Sequence, residues 1–152
     1  MAHVELSLSE VFAPAAGTPT EPGYDNVGRW SATVFSADEP CLLIDAETRV
    51  VAVSSAGCEL LRLGAPEDLV GLPLLDGGLR LVDFTANRGE LAEPEIDKIP
   101  PLLALSSGRL ARGLLRIEAT TEGASDATVD AISTPVLADG GVAGSLTFFS
   151  EV

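Results

Sequence analysis

Few residues in this chain are of types that make or break bonds, and their placement narrows what they could do. The single histidine, His3, lies at the extreme N-terminus, so the remainder has no imidazole to act as a general base. That role would fall to a carboxylate. Asp45 or Asp83, set in an apolar pocket, would carry a raised pKa and remove a proton, the chemistry of a small cone-shaped α+β isomerase or dehydratase. Glu93, Glu95 and Asp97 offer oxygens to a divalent cation, but in a chain with 23 acidic residues such clustering is the ordinary pattern of a solvated face. Neither a Gly-x-Ser-x-Gly elbow nor a Gly-x-x-x-x-Gly-Lys loop occurs. Cys41 and Cys58 are too few for a disulfide scaffold and lack metal-ligand spacing, so they read as reduced, partly buried thiols. The sequence predicts no catalytic residue, no metal and no cofactor. A chain that is not an enzyme is the first reading, and the carboxylate isomerase its competitor.

Charge excludes a further class. Nine basic residues, Lys98 the only lysine among them, face 23 acidic ones for a formal charge of −14. Nucleic-acid binding relies on Lys and Arg neutralising phosphates, and an anionic membrane surface repels such a chain in the same way. Arg109, Arg112 and Arg116 fall at strand spacing among Glu118 and Glu122, the pattern of a solvent face rather than a phosphate-binding patch. No apolar run approaches the roughly 20 residues of a membrane span, and Met1–Glu5 lacks the basic start of a signal peptide. A soluble, cytoplasmic protein is expected, with no nucleic-acid and no membrane partner.

The elements that would position these residues are legible from periodicity. A length of 152 residues suits one domain, and with only 5% aromatic residues its core must be mostly Leu, Val, Ile and Ala. Residues 1–23, broken by Pro14, Gly17, Pro19, Pro22 and Gly23, read as a flexible leader. Over 24–38, Val27, Trp30, Val34 and Phe35 share one face of an amphipathic helix, capped by Asp25 or Asn26. From 39 to 152 the order is two strands (41–45 and 49–53), helices, then three strands. Ser54-Ser55 caps a helix through Leu61, and Pro66-Glu67-Asp68-Leu69 opens another. Residues 75–94 read as loop and short helix. A helix follows over 95–107, with Pro100-Pro101 marking either its true start or a kink. Residues 110–118 alternate as a strand, and 127–134 and 142–149 form a hairpin around Asp139-Gly140-Gly141. This predicts an α+β fold: a five-stranded antiparallel sheet with helices on one face, plus an N-terminal helical extension.

Several local motifs in that order resemble PAS sensor domains. Leu43-Ile44-Asp45 followed by Arg49-Val50-Val51 is similar to the family's opening hairpin, and Ser54-Ser55-Ala56 stands where it usually has Asn-x-Ala. Glu67-Asp68-Leu69-Val70-Gly71-Leu72-Pro73-Leu74 resembles its Glu-Glu-Leu-x-Gly-x-x-Leu segment, and Ser107-Gly108 and the Pro135–Phe149 hairpin also match. The resemblance covers about residues 35–152. It implies a sensory or regulatory module acting by homodimerisation or protein binding, with a signalling partner or an output domain and with gating by a small apolar ligand as an option. The departures imply more. Light-sensing members carry Asn-Cys-Arg-Phe where this chain has Leu72-Pro73-Leu74-Leu75, and heme-binding members need an axial ligand that His3 is too distant to supply.

With strand phase set by the resemblance, the helix-facing side of the sheet is expected to show Leu42, Ile44, Val50, Ala52, Val129, Ala131, Ser133, Leu146 and Phe148 as core or ligand cavity. That interior is expected to be hydrocarbon almost throughout. The opposite side would carry Ile132 and Phe149, which together with Val27, Trp30, Val34 and Phe35 make the expected dimer or partner face.

Overall fold

The computed structural model describes residues 26–75, 79–85, 87–121 and 123–152. The leader 1–23 and the capping role expected of Asp25 lie outside the described residues, as do Asp76, Gly77, Gly78, Ala86 and Glu122. In chain order the elements are α1 Asn26–Ser36, β1 Cys41–Asp45, β2 Val50–Val53, α2 Ser55–Leu61, α3 Pro66–Leu69, β3 Leu81–Val82, α4 Glu93–Ile96, α5 Pro100–Ser107, β4 Ala111–Ile117, β5 Ala127–Ala138 and β6 Gly141–Glu151. One antiparallel sheet runs β2-β1-β6-β5-β4-β3. It has six strands rather than the expected five, because Leu81 and Val82 pair with Ile117 and Arg116 in the stretch read as loop. Two residues carry too little alternation to announce a strand.

Local chemistry explains the element boundaries. Ser54 accepts the Gly57 amide at the start of α2, accepts the Cys41 amide, and donates to the Glu39 carbonyl at 2.7 Å. One hydroxyl thus ties the start of β1 to the start of α2. Pro100 opens α5 where its missing N–H has no helical partner to lose, and Gly108 closes it in the left-handed conformation (φ 69°). Of the two readings of Pro100-Pro101, the helix start is the one adopted.

The main core lies between the sheet and α2, α3 and α5. It joins Leu42, Ile44, Val50, Val53, Leu61, Leu69, Leu115, Ile117, Val129, Ala131 and Phe149. A second core lies on the other side, where α1 covers Cys41, Leu43, Ala52, Val136 and Leu146 with Val27 and Val34, and Trp30 packs at its margin.

Two one-residue bulges decide which side chains enter which core. In β2, Leu43 pairs with Ala52 but Ile44 with Val50, so Val51 is an extra residue. In β6, Leu137 pairs with Val142 but Val136 with Gly144, so Ala143 is extra. Each insertion reverses the faces of all that follows, because side chains alternate with period two. The expected phase is therefore corrected at four positions. Ala52 and Leu146 face α1 rather than the main core, Phe148 is 42% exposed on the outer face, and Phe149 is buried in the main core instead of standing on the outer face.

Candidate functional site

The described interior under α5 is a closed floor of small side chains and hydroxyls. Across β4, β5 and β6, Ala111 pairs with Ser133 and Ser133 with Thr147, while Gly113 pairs with Ala131 and Ala131 with Phe149. These small residues let α5 approach closely, and a methyl group on Gly113 would already lie 3.4 Å from the Pro100 ring. The floor is not hydrocarbon throughout, which corrects a further expectation. The β6 bulge turns Ser145 and Thr147 inward beside Ser133, and all three are buried. Their polarity is satisfied: the Ser133 and Thr147 hydroxyls are 2.6 Å apart, and Ser145 donates to the Pro101 carbonyl at 2.8 Å. Among the described residues the buried polar ones are Ser54, Ser133, Ser145 and Thr147, with no Asp, Glu, Lys, Arg or His among them. An apolar cavity of about 10 Å³ sits at the far side of the core, lined by Val50, Leu63, Leu69, Leu72, Pro73 and Leu74. That is about room for one water-sized sphere.

The carboxylates weighed for catalysis are engaged in turns. Asp45 accepts the amides of Glu47 (2.9 Å) and Arg49 (3.0 Å) and so forms the β1–β2 turn. Asp83 accepts the amide and hydroxyl of Thr85 and the amide of Gly89, and the Thr85 bonds hold its pKa below the ordinary value. Neither is fully buried. Among the described residues no cluster of His, Cys, Asp and Glu is arranged to hold a metal. Cys41 and Cys58 are buried free thiols, and burial raises the pKa of both. They therefore stay protonated and unreactive.

The outer face of β4, β5 and β6, beside α1, has a different character. Arg112 pairs with Ile132 and Ile132 with Phe148, while Leu114 pairs with Asp130 and Asp130 with Ser150. Leu110 is 53%, Leu114 52% and Phe148 42% exposed, and Ile132 is half-buried among them. Arg112 reaches diagonally to Asp130, with Nη2 2.6 Å from one carboxylate oxygen, and this bond lowers the Asp130 pKa. The patch is apolar and internally neutral. Of the residues expected on the partner face, Ile132 and Phe35 remain accessible, while Val27 and Val34 are consumed in holding α1 to its own sheet. Leu110 and Leu114 were not among the expected partner residues. Their alternation with Arg112 and Arg116 was the signal that could have found them.

At the β3 end a polar buttress closes the sheet. Asp126, its side chain 6% exposed, accepts from Arg88 and from the Ala119 amide and lies 3.2 Å from Arg116 Nε. The Arg88 hydrogen bond is the main reason its pKa falls to about 2. Arg116 also donates to the carbonyls of Asp83 and Thr85, and Arg62 to those of Glu118 and Ser125. The arginines expected on a solvent face are thus divided: Arg112 serves the outer patch, and Arg116 locks loops together.

No family model and no curated protein matches the chain. Solved structures do. The PAS domain of a protein from Colwellia psychrerythraea superposes with a TM-score of 0.55 at 10% identity, over 84% of this chain and 98% of that one. The Rhodobacter sphaeroides LOV protein gives 0.59 at 16% identity, over 84% and 66%. Vibrio cholerae VqmA, described as a dimer, gives 0.55 at 18% identity, over 80% and 49%. At these identities the likeness establishes the fold.

Proposed function

We propose that this chain, which has the PAS fold, is a non-catalytic sensory or regulatory module that works through protein contact on the outer face of its sheet. Homodimerisation is its first mode of association, and a signalling protein or output domain its further partner. One observation carries the reading: Leu110, Leu114 and Phe148 stand exposed around a neutralised Arg112–Asp130 pair on a chain of formal charge −14. Two copies of so acidic a chain repel each other over much of their surface, and association needs a patch where that repulsion is absent. Contiguous exposed apolar side chains mark interaction sites on soluble domains. The dimeric state of the VqmA neighbour supports the same reading.

The partner face proposed here consists of Phe35, Ile132, Leu110, Leu114 and Phe148. Small-molecule gating would act beneath α5, which has to lift from Gly113 and Ser145 to make room. The hydroxyls of that floor favour a small compound with a hydrogen-bonding group over a pure hydrocarbon. No described helix is long and apolar enough to cross a membrane. The free thiols suit a reducing compartment, and the cytoplasm is the proposed one.

Sedimentation equilibrium at tens of micromolar tests the reading. A dimer is expected that dissociates in Phe148→Asp while the circular dichroism spectrum is unchanged. A parent protein that is monomeric at that concentration would overturn it.

A further inference from the structure

We propose that the outer-face dimer is registered by Arg112 and Asp130, each reaching the opposite charge on the second copy across a two-fold axis along the Leu114–Ile132 diagonal. This rests on the dimer reading above and adds its geometry. On adjacent strands β4 and β5, Arg112 lies opposite Ile132, and Leu114 lies opposite Asp130. The four positions form a rectangle of about 4.8 Å by about 6.8 Å, with the charges on one diagonal and the apolar side chains on the other.

A two-fold interface sets the same patch against itself, so each candidate axis can be judged by what it brings face to face. An axis along the strands sets Arg112 over Ile132 and Asp130 over Leu114. An axis across the strands sets Arg112 over Leu114 and Asp130 over Ile132. Either arrangement buries charge against hydrocarbon, which is unfavourable. An axis along the charged diagonal sets Arg112 over Arg112 and Asp130 over Asp130. The axis along Leu114–Ile132 alone meets every demand. Leucine faces leucine, isoleucine faces isoleucine, and each Arg112 falls roughly 3 Å to the side of Asp130 of the partner subunit, given those strand spacings. The Arg112 side chain is 66% exposed and spans that offset readily. Its bond to Asp130 within its own chain becomes one half of a four-charge ring, so neither charge is buried unpaired.

The experiment uses charge reversal, with association read by sedimentation equilibrium and native mass spectrometry. Arg112→Asp alone and Asp130→Arg alone are each expected to weaken the homodimer at least tenfold. An equimolar mixture of the two should form the heterodimer, in which each new charge meets its opposite, and the double variant should regain the parental homodimer. Arg80→Asp, which makes the same charge change at a 73% exposed site outside the patch, should leave association near the parental value. Equal weakening by Arg80→Asp, or no heterodimer in the mixture, would overturn the register. If both reversals dimerise like the parent while Phe148→Asp is monomeric, the register fails and the dimer reading stands. A parent that never dimerises removes both.

Discussion

Strands β5 and β6 show opposite characters on their two sides. Toward α5 they present Ser133, Ser145 and Thr147, all buried; away from it they present Ile132 and Phe148, the latter 42% exposed. A residue-by-residue reading of polarity would put each set on the other side. In β6 the bulge at Ala143 fixes the arrangement by carrying every later residue to the opposite face, whereas Ser133 and Ile132 follow the regular alternation of β5. The inward hydroxyls are tolerated because each has a partner, since a buried polar group is expensive chiefly when unpaired. The outward apolar side chains have no such compensation within the chain. Removing them from water is what a partner would supply.

The sharpest way to break this arrangement is at the bulge itself. A methyl group on Gly144 would lie 2.2 Å from the Ile44 carbonyl oxygen and 3.0 Å from Val27, so β1, β6 and α1 meet there without room for a side chain. Gly144→Ala is expected to destabilise the fold by about 2–3 kcal/mol, through overpacking that only backbone movement relieves. Thermal denaturation should show a fall of roughly 5–10 °C. A melting temperature unchanged from the parent would mean the bulge is soft and does not set the faces.

Next comes the inner side alone. Thr147→Val keeps shape but leaves the Ser133 hydroxyl without its partner, and an expected loss of about 1–3 kcal/mol follows. Adding Ser133→Ala should recover most of that loss, because the pair is then replaced by apolar groups. Urea unfolding of the three variants and the parent closes the cycle. Additive losses in the double variant would show that the two hydroxyls do not depend on each other.

These two sites also mark where the sequence stopped being legible. The element order apart from β3, the cap at Ser54 and the alternation of β4 could be read, because each rests on near neighbours in the chain. Leu42, Ile44, Val50, Val129, Ala131 and Ser133 lie on the main-core side, where regular alternation put them. Ala52, Leu146 and Phe148 leave that side and Phe149 joins it, since an extra residue at Val51 or Ala143 has no signature in apolar periodicity. The isolated Gly144 was the available hint, because glycine inside a strand marks a bulge or a close backbone approach. Leu81-Val82 was illegible for another reason: its strand character comes from pairing with β4 rather than from its own residues.

Asp126 tests whether charge can be enclosed on the same terms as the hydroxyls. Its pKa is near 2 in the folded chain against an ordinary 3.8, chiefly through the Arg88 hydrogen bond. A depressed carboxylate stabilises the fold above the unfolded value and ceases to do so as pH falls through the folded one. The stabilising effect is therefore complete above about pH 4 and disappears toward pH 2. The parent should lose stability across that window more steeply than Asp126→Asn, with the two acid-unfolding curves converging at the low end. Parallel curves would mean that Arg88 and Arg116 find other partners.

The smallest change in stability is expected on the outer side. Leu114→Thr places a hydroxyl on a β-branched side chain at a position already 52% exposed, so its unfolding free energy should stay within about 0.5 kcal/mol of the parent. This is the converse of Thr147→Val, which takes a hydroxyl away from the inside at far greater expense. Association should respond in the opposite order, with Leu114→Thr weakening the dimer and Thr147→Val leaving whatever remains folded able to pair. Chemical denaturation beside sedimentation on both variants separates the two effects. If Leu114→Thr instead unfolds the chain and leaves association untouched, the outer leucine belongs to the fold, and the division of labour between the two faces is wrong.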